Sequence, residues 1–156
     1  MRLLSLAVVP AALTIASVAL GAGWESGMQE DEGGPVMMAW VYAGDGGPTA
    51  PELRMFCGDQ VSLRYGQGAG AEGSEPVMEP VTFTFDFGDD LLTLDMQYEE
   101  MDGMYASYIE PDALIIGFLR AADSVAVDAP TGPWPVNEFS LQGSSKAIAA
   151  VLKSCD

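Results

Sequence analysis

Residues 81–98 read VTFTFDFGDDLLTLDMQY, and this stretch decides the class of fold. Apolar residues alternate with polar ones on both sides of the turn at 88–90. A period of two is typical of strands that bury one face. A glycine-containing turn between two such runs predicts an antiparallel hairpin. We therefore expect antiparallel β-structure to be the basis of the fold.

Similar short runs lie on both sides of this hairpin, separated by turns rich in glycine, proline and aspartate. They predict strands at 36–43, 53–57, 61–65, 104–109, 124–127 and 139–141. In the run at 61–65, Ser62 and Arg64 alternate with Val61, Leu63 and Tyr65. This alternation predicts a half-buried strand.

Two helices are predicted late in the chain. Residues 111–120 begin with Pro111, which suits a first helical position, and end with Arg120, which suits the negative end of the helix dipole. Residues 144–155 place Ser144 as N-cap before an apolar stripe: Ala147, Ile148, Val151, Leu152 and Cys155. The prediction is an α+β fold, β-rich, with an antiparallel sheet or sandwich, a late helix and a C-terminal amphipathic helix.

The N-terminus has the pattern of an export signal. Arg2 precedes an apolar run over 3–20, and small residues follow it. We predict a signal peptide at 1–22, a flexible acidic arm at 23–35, and a single domain at 36–156. A membrane anchor is the alternative, because the apolar run approaches the ~20 residues that a bilayer requires.

Cys57 and Cys155 are the two cysteines of the chain, and both follow the predicted signal. An even pair in an oxidising compartment predicts one disulfide bond. The alternative is a pair of buried free thiols. The export signal and the predicted bridge together indicate a periplasmic or secreted protein.

The chain is strongly acidic, with a net charge of −17 that becomes −18 when Arg2 is removed with the signal. Such a charge repels nucleic acids and anionic lipids, so neither is expected as a partner. It favours a protein partner that is basic. Solubility alone is the other explanation of the charge.

The composition argues against catalysis. The chain has no histidine, which removes the most frequent general base and a frequent zinc ligand. Two acid pairs, Asp86 with Asp95 and Glu99 with Glu100, are interpreted as solvated faces. Acids in turns, such as Asp89 and Asp102, do not follow the spacing of a calcium loop. We therefore predict no enzyme, no cofactor and no metal site.

The candidate partner-binding site is the acidic loop that follows the central hairpin, together with its neighbouring tyrosines and methionines. Such residues at a loop are frequent at protein contacts, although they are also frequent in cores. The predicted site residues are Tyr98, Glu99, Glu100, Met101, Asp102 and Tyr105, and the same cluster includes Tyr108, Met96 and Met104.

From Leu53 onward the chain resembles periplasmic accessory proteins of type VI secretion, of the VasI or TagO type. The likeness is carried by LRMFC at 53–57, VSLRY at 61–65, the strand at 81–87, the segment at 113–119, and FSLQG at 139–143 before the closing Cys155. It implies an envelope accessory or interaction protein without catalysis, with a disulfide between Cys57 and Cys155.

A second likeness joins residues 56–65, FCGDQVSLRY, to periplasmic lysozyme inhibitors of the MliC type. The function predicted from the sequence is an exported, non-catalytic envelope accessory or protein-binding domain. The alternatives are a periplasmic inhibitor of a basic enzyme such as lysozyme, and a calcium-stabilised structural domain.

Overall fold

The computed structural model describes residues 23–31, 33–68, 75–132 and 134–155. The predicted signal peptide lies outside these residues. Within them the chain forms nine strands and two α-helices. The strands are β1 Glu25–Asp31, β2 Gly34–Tyr42, β3 Glu52–Cys57, β4 Val61–Gly66, β5 Val81–Asp86, β6 Leu91–Glu99, β7 Met104–Ile109, β8 Ser124–Asp128 and β9 Asn137–Ser140; the helices are α1 Leu114–Ala121 and α2 Ser144–Lys153.

The described strands form one antiparallel sheet in the order β1-β2-β3-β4-β7-β6-β5-β8-β9. The long strand β6 joins its two halves. Residues 91–96 of β6 pair with β5, whereas residues 97–99 pair with β7. Strand β6 can pair with both neighbours because β5 lies along one of its edges and β7 along the other. The predicted α+β class and the antiparallel sheet are confirmed.

The two ends of the sheet come together. The backbone N–H of Trp24, just before β1, donates to the carbonyl of Gln142, just after β9, at 2.8 Å. Strands β2 and β9 are also in contact. The sheet therefore curves around a shared core instead of lying flat, as its twist allows.

The core lies on the inner face of this curved sheet. It contains an aromatic group in which Tyr65, Phe83 and Tyr105 have ring centroids 5.1 and 5.2 Å apart, and Trp134 stacks on Phe83. Such tilted and stacked pairs add stabilisation beyond the area that they bury. Helix α2 packs against β1, β2 and β3, and its stripe residues Ala147, Ile148 and Val151 are buried there.

The predicted disulfide is present. Cys57 ends β3 and Cys155 follows α2, and their Cα atoms are 5.4 Å apart. The bridge holds the end of α2 against the sheet. Because the two cysteines are 98 residues apart in sequence, it closes most of the domain into one covalent loop.

Three local predictions were wrong. The expected arm at 23–35 contains β1, because hydrogen bonds to β2 satisfy a polar backbone that has few apolar side chains to bury. Helix α1 begins at Leu114 instead of Pro111, which lies in the preceding turn. The N-cap of α2 is Gly143 in the left-handed region (φ 81°), and Ser144 is the first helical residue.

Candidate binding site

The acidic loop between β6 and β7 is a tight turn. Residues 100–103 connect the two strands, and the N–H of Gly103 donates to the carbonyl of Glu99 at 2.9 Å. Gly103 has φ +66°, a conformation that favours glycine over other residues. The sequence therefore closes the hairpin with a glycine at the position that requires one. We call residues 99–103 the acidic loop.

A buried arginine lies beneath the acidic loop. Arg64 comes from the neighbouring strand β4 and is only 5% exposed. Its Nε donates to Ser62 Oγ at 2.9 Å, and its guanidinium carbon lies 4.6 Å from the centre of the Phe56 ring. A cation over an aromatic face is attracted by the ring quadrupole, and the attraction is stronger where water is excluded. The guanidinium is thus held in one position.

Two acids of the loop are bound to this guanidinium. Arg64 Nη2 lies 2.8 Å from Glu99 Oε2, and Arg64 Nη1 forms an ion pair with Asp102. Both carboxylate side chains are 27% exposed, so the pairs are partly shielded from water. Partly buried pairs are screened less by salt than pairs at the surface. The ion pairs fix the loop, and the single positive charge of Arg64 offsets one of its three negative charges.

Met101 lies at the tip of the loop and is 75% exposed. Glu100 beside it is also exposed. Because the side chain of Met101 is exposed to solvent, it does not contribute to the core. Met101 is therefore the predicted site residue that is best placed to contact a partner.

Tyr105 belongs to the core and not to an open surface. It is 1% exposed, and its hydroxyl accepts a hydrogen bond from the N–H of Val77 at 2.8 Å. Burial raises the pKa of Tyr105 above its ordinary value. Its assignment to a partner-contacting surface is thus wrong. Tyr98 is half-buried and packs on Tyr105, with ring centroids 5.2 Å apart, so it supports the loop from below.

Tyr108 lies beside the loop on β7 and is 54% exposed. Its hydroxyl donates to Glu99 Oε1 at 2.6 Å. This hydrogen bond, with burial as a smaller cause, raises the pKa of Tyr108. Met96 and Met104, from the same sequence cluster, are buried at 0% and 4% exposure. The exposed part of the site is therefore Glu100, Met101 and Tyr108.

Arg64 and Phe56 were missed as site residues. The alternation in β4 predicted a half-buried strand, but all six residues of β4 are buried. The reason is that the acidic loop and Phe56 cover the outer face of this strand. The one sequence feature that could have indicated the role of Arg64 is that it is the single charged residue of β4.

Two clefts flank the loop. One, of about 350 Å³, is lined by Tyr98, Asp102 and Gly103 on the loop side and by Glu52 and Arg54 on the sheet side. The other, of about 310 Å³, contains Arg64 and Tyr108. Both volumes are at the lower end of the range usual for ligand sites.

Of the two acid pairs considered for catalysis, Asp86 and Asp95 lie apart, and Glu99 of the other pair is bound to Arg64. Asp86 lies opposite Leu91 and Asp95 lies opposite Thr82, so these two carboxylates are at opposite ends of the β5–β6 hairpin. Asp102 is held by Arg64. Within the described ranges, no group of three or more histidine, cysteine, aspartate or glutamate residues is arranged to hold a metal ion.

No family model, curated protein or solved structure matches the chain. The likeness to VasI- or TagO-type proteins thus stays a prediction. Neither helix in the described part of the chain has the length and apolarity needed to cross a bilayer.

Proposed function

We propose that the protein is an exported, non-catalytic binding domain that uses the acidic loop to contact a basic protein of the cell envelope. The observation that carries this proposal is the exposure of Met101 at the tip of a loop fixed by Arg64. A binding loop that is ordered before contact loses little conformational entropy on binding. Methionine adapts to irregular partner surfaces because its side chain is flexible and polarisable.

The overall charge supports a basic partner. A chain of net charge −17 attracts cationic proteins over long range and speeds their encounter. Arg64 offsets one of the three acidic charges of the loop, and Glu100 is the acid that is exposed and not bound to Arg64. Met101 and Tyr108 then supply the apolar contact, and the overall field supplies the attraction.

A capture experiment with matched charge variants tests the proposal. The purified protein is immobilised, and envelope extract from the producing cell is applied at low and moderate salt. We compare the wild type with Glu100→Lys in the loop and with Asp90→Lys in the β5–β6 turn. The two variants change the net charge equally but at different places.

We expect one basic protein to be retained by the wild type and by Asp90→Lys, and to be lost with Glu100→Lys and with Met101→Asp. Equal loss from both lysine variants indicates a general charge effect and contradicts a site at the loop. Retention by Met101→Asp contradicts it as well.

Inhibition of a basic enzyme such as lysozyme is the second candidate function. It is favoured by the acidic charge and by the position of the β3–β4 turn, where Gly58, Asp59 and Gln60 line the 310 Å³ cleft beside Tyr108. Residual lysozyme activity is measured at stoichiometric doses of wild type and Glu100→Lys. Full lysozyme activity with the wild type excludes this function for the enzyme tested.

A calcium-stabilised structural domain is the remaining alternative from the sequence. A chelator should then lower the melting temperature, whereas the binding proposal predicts the same melting temperature with and without chelator.

A further inference from the structure

A third cleft, of about 330 Å³, lies on the outer face of β1, β2 and β3. Its lining combines two aromatic rings, Trp40 and Tyr42, with four polar side chains and one methionine. The polar side chains are those of Arg54, Glu52, Gln29 and Glu30, and the methionine is Met38. The strand register explains the grouping. Trp40 lies opposite Arg54, and Tyr42 lies opposite Glu52, so these four side chains share one face of the sheet.

This face is open while the opposite face is covered. Helix α2 packs against β1, β2 and β3 from the inner side, where Ala39, Val41 and Leu53 are at most 1% exposed. The alternating residue Trp40 therefore points outward and is half-buried. Its ring extends toward Gly27 of β1, where an added Cβ would lie 3.7 Å from the ring. Because glycine has no side chain, nothing from that position stands over the indole.

The cleft carries one cation and two acids, and the cation is paired with one of the acids. Arg54 binds Glu52 through two hydrogen bonds, Nε to Oε1 at 2.8 Å and Nη2 to Oε2 at 3.1 Å. This pair places donors and acceptors side by side with no net charge, in a chain whose overall charge is −17. Gln29 adds an amide that both donates and accepts. The overall field disfavours anions, the paired Arg54 and Glu52 favour neither ion, and the exposed Glu30 is the one further charge of the lining.

A sugar ring has the chemistry that this cleft offers. One face of a pyranose carries C–H groups that pack on the face of an aromatic ring, which is electron-rich. Its hydroxyls donate and accept, as the Arg54–Glu52 pair and Gln29 do. The cleft of about 350 Å³ described above shares Glu52 and Arg54 with this one, so an extended ligand has a second cleft to enter.

We propose that the outer face of β1–β3 is a binding site for a neutral oligosaccharide, which stacks on Trp40 and bonds to Arg54 and Glu52. The residues proposed to hold the sugar belong to β2 and β3 and not to the acidic loop, and the site does not require the protein partner proposed above. The two proposals can therefore fail independently.

Tryptophan fluorescence provides a direct test. The chain has three tryptophans, and Trp24 and Trp134 are each only 7% exposed, so Trp40 reports on this face. Purified protein is titrated with neutral hexasaccharides of β-1,4-linked glucose and of β-1,4-linked N-acetylglucosamine, and calorimetry gives the affinity. A lysine-rich peptide serves as the cationic comparison.

We expect a saturable fluorescence change with at least one sugar. Trp40→Ala should weaken binding by about tenfold, while Trp40→Phe, which keeps an aromatic ring, should lose much less. Leu91→Ala, which truncates an exposed apolar residue at the start of β6, should bind as the wild type does. If Trp40→Ala has a much lower melting temperature than the wild type, Arg54→Ala is used instead. We expect it to weaken sugar binding as well.

The proposal is overturned if no sugar binds at millimolar concentration. It is also overturned if only the lysine-rich peptide binds, or if a folded Trp40→Ala or Arg54→Ala variant binds the sugar as tightly as the wild type.

Discussion

Arg54 and Arg64 lie directly opposite each other on β3 and β4, yet each has its own acidic partner. Arg54 binds Glu52 on its own strand, and Arg64 binds Glu99 and Asp102 of the acidic loop. Like charges opposite each other destabilise a sheet unless they are compensated. The compensation of Arg64 requires the acidic loop, so the strand pairing and the candidate site depend on the same contacts.

Removal of the Arg64 charge should be costly. Arg64→Met keeps the length of the side chain but leaves Glu99 and Asp102 without their cation, so we expect the free energy of unfolding to fall by about 2–3 kcal/mol. Arg54→Met is the matched control. Its side chain is 29% exposed, against 6% for that of Arg64, so its loss should cost less than the loss of Arg64. Urea unfolding measures both, and an equal loss contradicts the structural role of Arg64.

The disulfide should dominate the stability of the domain. Reduction, or the double variant Cys57→Ser with Cys155→Ser, opens a loop of 98 residues, and the chain-entropy relation gives a loss of about 4–5 kcal/mol. Thermal unfolding with and without reductant measures the change. A melting temperature that does not move on reduction is incompatible with a bridge that holds α2 on the sheet.

Two glycines should respond to alanine in opposite directions. Gly143 has φ +81°, and an added Cβ would lie 3.3 Å from the carbonyl oxygen of Trp24, so Gly143→Ala should cost about 1–2 kcal/mol. Gly117 lies within α1, and an added Cβ there meets nothing within 4 Å, so Gly117→Ala should stabilise by about 0.5–1 kcal/mol. Equilibrium unfolding measures the change in the free energy of unfolding for both variants. If Gly143→Ala is stabilising, the turn at Gly143 does not require a glycine.

Stability should fall at alkaline pH, partly through Tyr108. Its pKa is raised in the folded protein above the ordinary value of 10.0, so the unfolded chain loses this proton first as the pH rises. The contribution of Tyr108 to the free energy of unfolding is complete below pH 10.0 and is lost as the pH rises through the raised pKa. Tyr108→Phe should therefore show a shallower loss of unfolding free energy above this pH. Identical alkaline slopes in the two proteins contradict the hydrogen bond to Glu99 as the cause.

Much of the secondary structure follows from local patterns in the sequence. The hairpin at 81–98 is formed as β5 and β6, and a slip of one residue in the pairing would turn Val81, Phe83 and Phe85 away from the buried face. The apolar stripe of α2 is buried as expected. The disulfide also follows from the sequence, since only two cysteines are present.

The environment of individual side chains does not follow from such patterns. Arg64 alternates with apolar residues, a pattern that predicts an exposed side chain. Tyr105 follows an acidic loop in the sequence, a position that predicts a surface contact. Both are buried, because segments distant in sequence cover them: the acidic loop covers Arg64, and Val77 and Trp134 contact Tyr105.

The sequence by itself determined the strand and helix types, the antiparallel class and the covalent bridge, because these depend on periodicity over a few residues and on the number of cysteines. Only the tertiary structure decided which end of β6 pairs with which neighbour, that 25–31 joins the sheet, and that Met101 remains exposed above a buried arginine. These features depend on contacts between residues far apart in the chain, where the free energy of burial and ion pairing outweighs local preference.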